Sequence, residues 1–279
     1  MTIDELLRVG RGALANCPTA RLDAELLLAH VSGLGPTHLR AYGEREIATD
    51  TVERYEAVIA RRARGEPIAY ITGRKGFWSL DLAVGPDVLI PRPETELLVE
   101  HALARTPTDA TLDLLDIGTG SGAIALALAH ERPSARIVAT DVSATALACA
   151  RANARALGLD VQLLHGDLFT PVSDRRFHLI VSNPPYVAPD DPDLASDVRQ
   201  YEPATALYAA DDGLAILQRL IAAAPDHLHP RGWILLEHGW RQAAPVRTLL
   251  EQRGFSHVRS HADLAGHERV TEGQLTGHG

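Results

Sequence analysis

The sequence predicts an α/β fold, a doubly wound and mainly parallel sheet in the C-terminal two thirds of the chain, preceded by a helical segment. Three observations predict it. From residue 112 onward, short apolar runs alternate with runs of helical period, as strands joined by helical crossovers do. The first apolar run breaks at Gly118-Thr119-Gly120-Ser121-Gly122, where glycines let backbone approach a ligand at a helix N-terminus. The fourth ends at Asn183-Pro184-Pro185-Tyr186. Neither proline has an N–H, so the ladder stops there and a stiff loop begins, at the sheet edge where such folds place ligands.

The front of the chain reads as four helices. Residues 4–15 carry Leu6, Leu7, Val9 and Leu14 near helical spacing, ending at Cys17-Pro18. A second helix opens at Thr19 or Arg21 and stops at Gly33-Leu34-Gly35-Pro36; a short third follows over 36–42. Asp50, with Glu53 three residues on, reads as the cap of a fourth helix to about residue 64. No chemical constellation appears here, so the segment is either a packing module or a grip on a protein substrate. Residues 65–93 are punctuated by Gly and Pro, with 77–84 alternating as a hairpin strand. Pro93 and the acids after it open a helix to about residue 104.

Strands then follow at 112–117, 136–140, 161–164, 177–182 and 233–236, with two late strands near 255–260 and 270–275. Helices are expected over 123–129, 144–157, 213–224 and 243–252.

The formal net charge of -9 argues against broad attraction to nucleic acid. Residues 1–75 hold 11 Lys+Arg against 10 Asp+Glu, leaving 16 against 26 for the rest, so the acidic excess lies with the Asn-Pro-Pro-Tyr loop. Cys17 and Cys149 are too few for a disulfide framework or a zinc site, and Cys149 reads as core. His257, His261 and His267 form no metal pattern. The N-terminus lacks a signal-peptide pattern and no apolar run approaches a membrane span. A soluble, cytoplasmic protein without metal or membrane partner is expected.

The ligand follows from the acids. Asp141, at the end of the second strand, is placed to accept from ribose hydroxyls. Asp116, at the first strand's exit, repels a diphosphate but suits an amino-acid ammonium, and the Gly-x-Gly-x-Gly spacing differs from that of dinucleotide enzymes. An adenosine with a cationic tail fits, as in S-adenosylmethionine. Beside such a methyl donor, Asn183 and Pro184 offer two carbonyl acceptors for the N–H groups of a planar amide or exocyclic amine, and Tyr186 can stack on it. Asp167 is either a turn cap or an adenine contact, and Arg92 and Glu94 either line the cofactor end or pin the connector. Glu237-His238-Gly239, which could look catalytic, reads better as a structural strand end, and Asp190, Asp191 and Asp193 are either a solvated turn or a contact for a basic partner segment.

The chain resembles the protein-(glutamine-N5) methyltransferases that modify peptide-chain release factors. The matching segments are Leu89-Ile-Pro-Arg-Pro-Glu-Thr-Glu96, Asp116-Ile-Gly-Thr-Gly-Ser-Gly122, Val181-Ser-Asn-Pro-Pro-Tyr186, Asp197-Val-Arg-Gln-Tyr-Glu-Pro203 and Leu235-Leu-Glu-His-Gly239. The tetrapeptide alone is shared with DNA adenine-N6 methyltransferases; the five segments in this order are far more specific. The resemblance implies a class I, Rossmann-like S-adenosylmethionine-dependent methyltransferase with a seven-stranded sheet. It implies a helical domain over 1–66, a connector with a β-hairpin over 67–92 and a methyltransferase domain over 93–279. It also implies methylation of the Gly-Gly-Gln glutamine of release factors, leaving S-adenosylhomocysteine. The cofactor would be held by Asp116, Gly118, Thr119, Gly120, Ser121, Gly122, Asp141, Asp167, Leu168 and Asn183. The substrate amide would lie along Asn183, Pro184, Pro185 and Tyr186, with Asn183, Pro184 and Tyr186 as the catalytic set. Some relatives carry an aromatic residue where Leu168 stands. A monomer is expected. The alternatives are a nucleic-acid amino methyltransferase and a non-catalytic binder of an adenosyl ligand.

Overall fold

The computed structural model describes residues 1–277 and divides into two compact units. One comprises Met1–Arg74 with Ser196–Tyr201; the other comprises Lys75–Ala195 and the chain from Glu202 onward.

The first unit is helical: α1 (Ile3–Ala13), α2 (Ala20–Ser32), α3 (Pro36–Ala41), α4 (Thr49–Ala63) and α5 (Ile68–Thr72). A capping box starts α1, with Thr2 Oγ1 accepting from the Glu5 N–H and the Glu5 carboxylate from the Thr2 N–H. Ile3 and Leu6 of α1, Leu27 and Leu28 of α2, and Tyr55 and Ile59 of α4 form one apolar core. Gly10 permits this approach, because a Cβ there would lie 2.1 Å from the Tyr55 hydroxyl. The start of α4 differs from expectation. It opens at Thr49 with Ala48 as an N-cap lacking a side-chain bond, so Asp50 sits inside the first turn and pairs with Arg54. An acid there still complements the helix dipole.

A hairpin follows in the chain, β1 (Arg74–Phe77) and β2 (Leu80–Ala83), all but Arg74 belonging to the second unit. Residues 77–84 are therefore not one strand: Trp78 adopts φ 55° and turns the chain. Its N–H donates to Glu96 and its indole N–H to Glu131, both at 2.8 Å, which holds a conformation a non-glycine residue rarely takes.

After a 3-10 turn at Pro93–Thr95 come α6 (Glu96–Arg105), β3 (Asp113–Ile117), α7 (Ala123–Glu131), β4 (Arg136–Asp141), α8 (Ala144–Leu157), β5 (Gln162–His165) and β6 (Phe177–Ser182). Beyond α9 (Ser196–Tyr201) lie α10 (Ala204–Leu207), α11 (Ala215–Ala223), β7 (Leu228–Glu237), α12 (Ala243–Gln252), β8 (Phe255–Ala262) and β9 (Glu268–Leu275). The seven-stranded sheet has the order β5-β4-β3-β6-β7-β9-β8. Its first five strands are parallel, and β9 runs antiparallel to both β7 and β8. Alternate residues feed opposite cores: Leu114, Leu179 and Leu235 on one face, Leu115, Ile180 and Ile234 on the other. Residues 123–129 of α7 are buried throughout, which explains a helix with no polar face.

One carboxylate binds the antiparallel edge together. Glu272 of β9 has no exposure and takes a two-pronged contact from Arg105 at 2.9 and 2.6 Å, plus the Arg259 guanidinium. Burial alone would raise its pKa; the His261 ring 3.1 Å away and the Arg105 and Arg259 guanidiniums instead hold it well below the usual carboxylate range. Removing one partner of a buried ion pair strands the others. Arg105 and Arg259 keep some contact with water, so Glu272→Ala is expected to cost about 3 kcal/mol in urea unfolding, near the low end for such losses.

Candidate active site

The strand order reverses between β3 and β6, so the crevice of this sheet opens beyond their carboxyl ends. Ile117 pairs with Ser182 at that end, and the buried Ser182 hydroxyl donates to the Ile117 carbonyl at 2.7 Å. The glycine turn after β3 and the Asn-Pro-Pro-Tyr loop after β6 therefore leave the sheet side by side. One cleft is lined by both, together with Arg92, Thr95, Asp141, Val142, Asp167, Leu168 and Ile216.

Most of the glycine turn's amides are already engaged. The Gly118 and Thr119 N–H groups donate to the Thr140 carbonyl, Gly122 to the Thr119 carbonyl, and Gly120 to the Asp141 carboxylate at 2.8 Å. A turn that spends its donors internally has few left for a diphosphate. Gly118 and Gly120 hold φ 74° and 57° and line the cleft, with open space where a Cβ would stand. Gly122 does not line it: a Cβ there would come within 2.9 Å of Leu126 on α7 and 3.2 Å of Ala150 on α8. Its lack of a side chain serves helix packing. Thr119 and Ser121 line the cleft with their residues largely buried, the Thr119 hydroxyl turned inward to Asp116 at 2.6 Å.

Asp141 lines the cleft, with one oxygen accepting from Gly120 and the other from the Ser143 N–H at 2.8 Å. Each oxygen keeps a lone pair for a hydroxyl donor. Asp116 lies beneath the wall, not on it. It is fully buried, accepts from Thr119 and from the Ala125 N–H, and leaves Oδ1 without a partner. The expected direct hold on an ammonium is thus replaced by a brace under the turn. Burial pushes its carboxyl up to about 7 against those hydrogen bonds.

Leu168 stands at φ 47°, its carbonyl accepting from the Thr140 hydroxyl at 3.1 Å. Asp167, half-exposed on the cleft, pairs with Arg219, and its carbonyl accepts from the Thr170 N–H. It is both a turn residue and a wall residue. Arg92 likewise does both: it lines the cleft and pairs with buried Glu202, which also accepts from the Ile90 N–H at 3.1 Å.

In the tetrapeptide, Asn183, Pro184 and Pro185 line the cleft. The Asn183 Nδ2 donates to the Thr95 hydroxyl at 3.1 Å, which leaves Oδ1 as the free end of the amide among the described residues. Tyr186 is half-buried behind the loop, and its hydroxyl donates to Glu237 at 3.2 Å. Only the part of the ring left open remains for stacking. Gln242 fastens the loop from behind, donating to the Tyr186 and Asp212 carbonyls and accepting from the Gly239 N–H. Gly213 must be glycine beside it: φ is 82° and a Cβ would fall 2.0 Å from the Tyr186 carbonyl oxygen.

Thr95, Gln242 and the contacts of Glu237 escape the sequence reading. The only local signal was a carboxylate ending the apolar run 234–236 at the ligand edge of the sheet. The three histidines do not converge: His261 stacks on His101, His267 lies by Trp240 and His257 by Trp233. At the opposite end of the strands, ligand atoms of Asp113, His178 and His229 come within 4.8 Å of one another, but Arg136 engages both Asp113 oxygens.

The cleft thus offers a diol acceptor at Asp141, apolar walls at Val142, Leu168 and Ile216, and carbonyl acceptors at Asn183 and Pro184. These residues fit S-adenosylmethionine. The buried acid beneath has a measurable consequence. Because the folded pKa of Asp116 lies above its unfolded value, the folded state holds the extra proton between about pH 4 and 7. Stability from this group is present below that range and falls as the pH rises through it. Asp116→Asn is therefore expected to gain stability relative to the parent from pH 4 to 7, read by urea unfolding at each pH.

Two family models match the chain, the PrmC N-terminal domain over residues 5–73 and the methyltransferase small domain over 93–200. Among solved structures, a methyltransferase from Pyrococcus furiosus superposes with a TM-score of 0.57 at 21% identity, covering 80% of this chain and 100% of that one. That likeness concerns the fold. A release factor glutamine methyltransferase of Pseudomonas aeruginosa is 50% identical over 262 residues, 94% of this chain and 95% of its own. One from Xylella fastidiosa is 48% identical over 258 residues, 92% and 94% of the two chains. With similarity of that depth running through both units, the chain belongs to the family of release factor glutamine methyltransferases.

Proposed function

We propose that this enzyme methylates the side-chain amide nitrogen of the glutamine in the Gly-Gly-Gln motif of peptide-chain release factors. The observation that carries the reading is the pair of carbonyls at the cleft, Asn183 Oδ1 and the Pro184 backbone oxygen, neither taking a donor among the described residues. An amide nitrogen is a poor nucleophile because its lone pair is delocalised. Two acceptors engaging its two N–H groups aim the lone pair and favour the positive charge that builds on nitrogen. Pro184 and Pro185 suit this, since no loop N–H competes for the carbonyls. Positioning of this kind supplies on the order of 7–11 kcal/mol.

S-adenosylmethionine, when bound, would supply an electrophilic methyl on a sulfonium, with S-adenosylhomocysteine as the neutral leaving group. The amide nitrogen then loses one of its two protons to water, so no tuned base is required. Asp141 would hold the ribose, Gly118 to Ser121 and Leu168 would border the adenosyl group, and Asp167 would border the base. Asp116 and Gly122 would keep the turn in shape from beneath. Tyr186 would hold the loop and offer its open ring surface to the planar amide. The methyl carbon is already electrophilic, so the step calls for no metal. The acidic balance of residues 76–279 weighs against a nucleic-acid substrate, and no described helix is long and apolar enough to cross a membrane.

Mass mapping of a release factor incubated with enzyme and labelled donor is expected to place one methyl on the Gly-Gly-Gln glutamine; label found only in added DNA would sink the reading. Asn183→Ala is expected to bind the donor normally in calorimetry while turnover falls on the order of 100-fold or more. Asp141→Ala should show the reverse emphasis, with weakened donor binding.

A further inference from the structure

We propose that Glu237 is a positioning residue for this methyl transfer: it receives the Tyr186 hydroxyl and draws that of Thr95 toward itself, and thereby sets which end of the Asn183 amide meets the substrate. The inference rests on the reaction proposed above and adds a residue that touches neither substrate nor methyl donor.

The argument follows one proton. Thr95 is 3% exposed, and its hydroxyl accepts from Asn183 Nδ2 at 3.1 Å. A hydroxyl has a single proton. While it accepts from Asn183, that proton must turn elsewhere, and Glu237, whose charge the Thr95 hydroxyl stabilises, is the carboxylate that draws it. Were the proton turned to Asn183 instead, the amide would have to rotate and show its NH2 to the cleft. Donor would then face donor, since the substrate amide presents N–H groups there.

Tyr186 is the second donor onto Glu237, at 3.2 Å. Tyr186 takes Oε1, so a second hydroxyl turning toward this side chain calls for a second acceptor oxygen, which a carboxylate has and a carboxamide lacks. Glu237 is 1% exposed at the end of an apolar strand, and its Oε2 has no partner in full hydrogen-bond geometry. Burying such a group is costly. A core that needed only filling would carry an apolar residue there. The charges nearest it are mixed, Arg269 of β9 favouring the ionised form and Glu94 opposing it.

The test uses the full chain with a release factor. Glu237→Gln and Thr95→Val are each expected to lower kcat on the order of 100-fold, the scale of a misplaced reacting group. For Glu237→Gln, which leaves the cleft lining intact, donor affinity, release-factor affinity with S-adenosylhomocysteine bound, and KM should all stay within about twofold, since the hydrogen bonds removed act on the transition state. Thr95→Ser, which keeps the hydroxyl, should recover most of what Thr95→Val loses. Members of one network are not additive, so the double variant Glu237→Gln/Thr95→Val should be no slower than the worse single one. Unchanged kcat in Glu237→Gln, losses that multiply in the double variant, or a Thr95→Ser as slow as Thr95→Val would each overturn the inference. Should Glu237→Gln fail to fold, the Thr95 pair still decides. A parent enzyme that leaves the glutamine unmethylated would overturn the reaction itself, and this role with it.

Discussion

The parallel pairing of β3 with β6 is the constraint on which the rest of the site depends. Their paired residues Ile117 and Ser182 are 65 positions apart, with β4 and β5 between the two strands in the chain, yet the strands lie adjacent in the sheet. Their register ends at Ile117 and Ser182, tied again by the Ser182 hydroxyl. A slip of one residue would turn every side chain to the opposite face. It would also part the glycine turn from the tetrapeptide, so that donor and acceptor groups no longer shared a cleft. The two prolines after Asn183 protect that ending, because they cannot extend the ladder.

Three of the buried acids in this unit, Glu272, Asp116 and Glu237, are treated differently by the sheet. Glu272 sits among cations and stays ionised; its role is to hold strands and helix together. Asp116 and Glu237 lie near the cleft, each keeps one oxygen unpartnered, and burial pushes each up to about 7. A structural ion pair is satisfied; a carboxylate kept for its lone pairs is left partly unsatisfied. The contrast within one sheet is stronger than either observation alone, since buried unpaired acids gather where chemistry is done.

Periodicity and glycine spacing made the sheet legible. Strands at 112–117 and 177–182, the break at Gly118 and the acid at Asp141 all depend on near neighbours, which a sequence displays directly. The misreadings share the opposite property. Trp78 looks like a strand residue, and its turn is held by Glu96 and Glu131, 18 and 53 positions away. Asp116 looks like a wall residue because strand exits face ligands, but Thr119 and Ala125 draw it inward. Gly122 belongs to the ligand turn by spacing and to the α7–α8 packing by contact. Thr95 meets Asn183 across 88 positions, and Glu237 meets Tyr186 across 51. Nothing in either local stretch announces such a meeting.

These distant contacts bear on how one tetrapeptide can serve different planar amines. The two carbonyls of an Asn-Pro-Pro-Tyr loop respond to N–H groups and a lone pair, which a glutamine amide and an exocyclic base amine both have. Selection between them must therefore arise outside the four residues. Here the loop is clasped from behind by Gln242, Glu237 and Thr95, and its surroundings carry an excess of acid. A polyanionic duplex would meet that charge at close range, whereas a protein loop carrying one neutral side chain would not. The loop supplies the chemistry common to such enzymes; the charge around it and the braces beneath it decide what is admitted and how it is aimed.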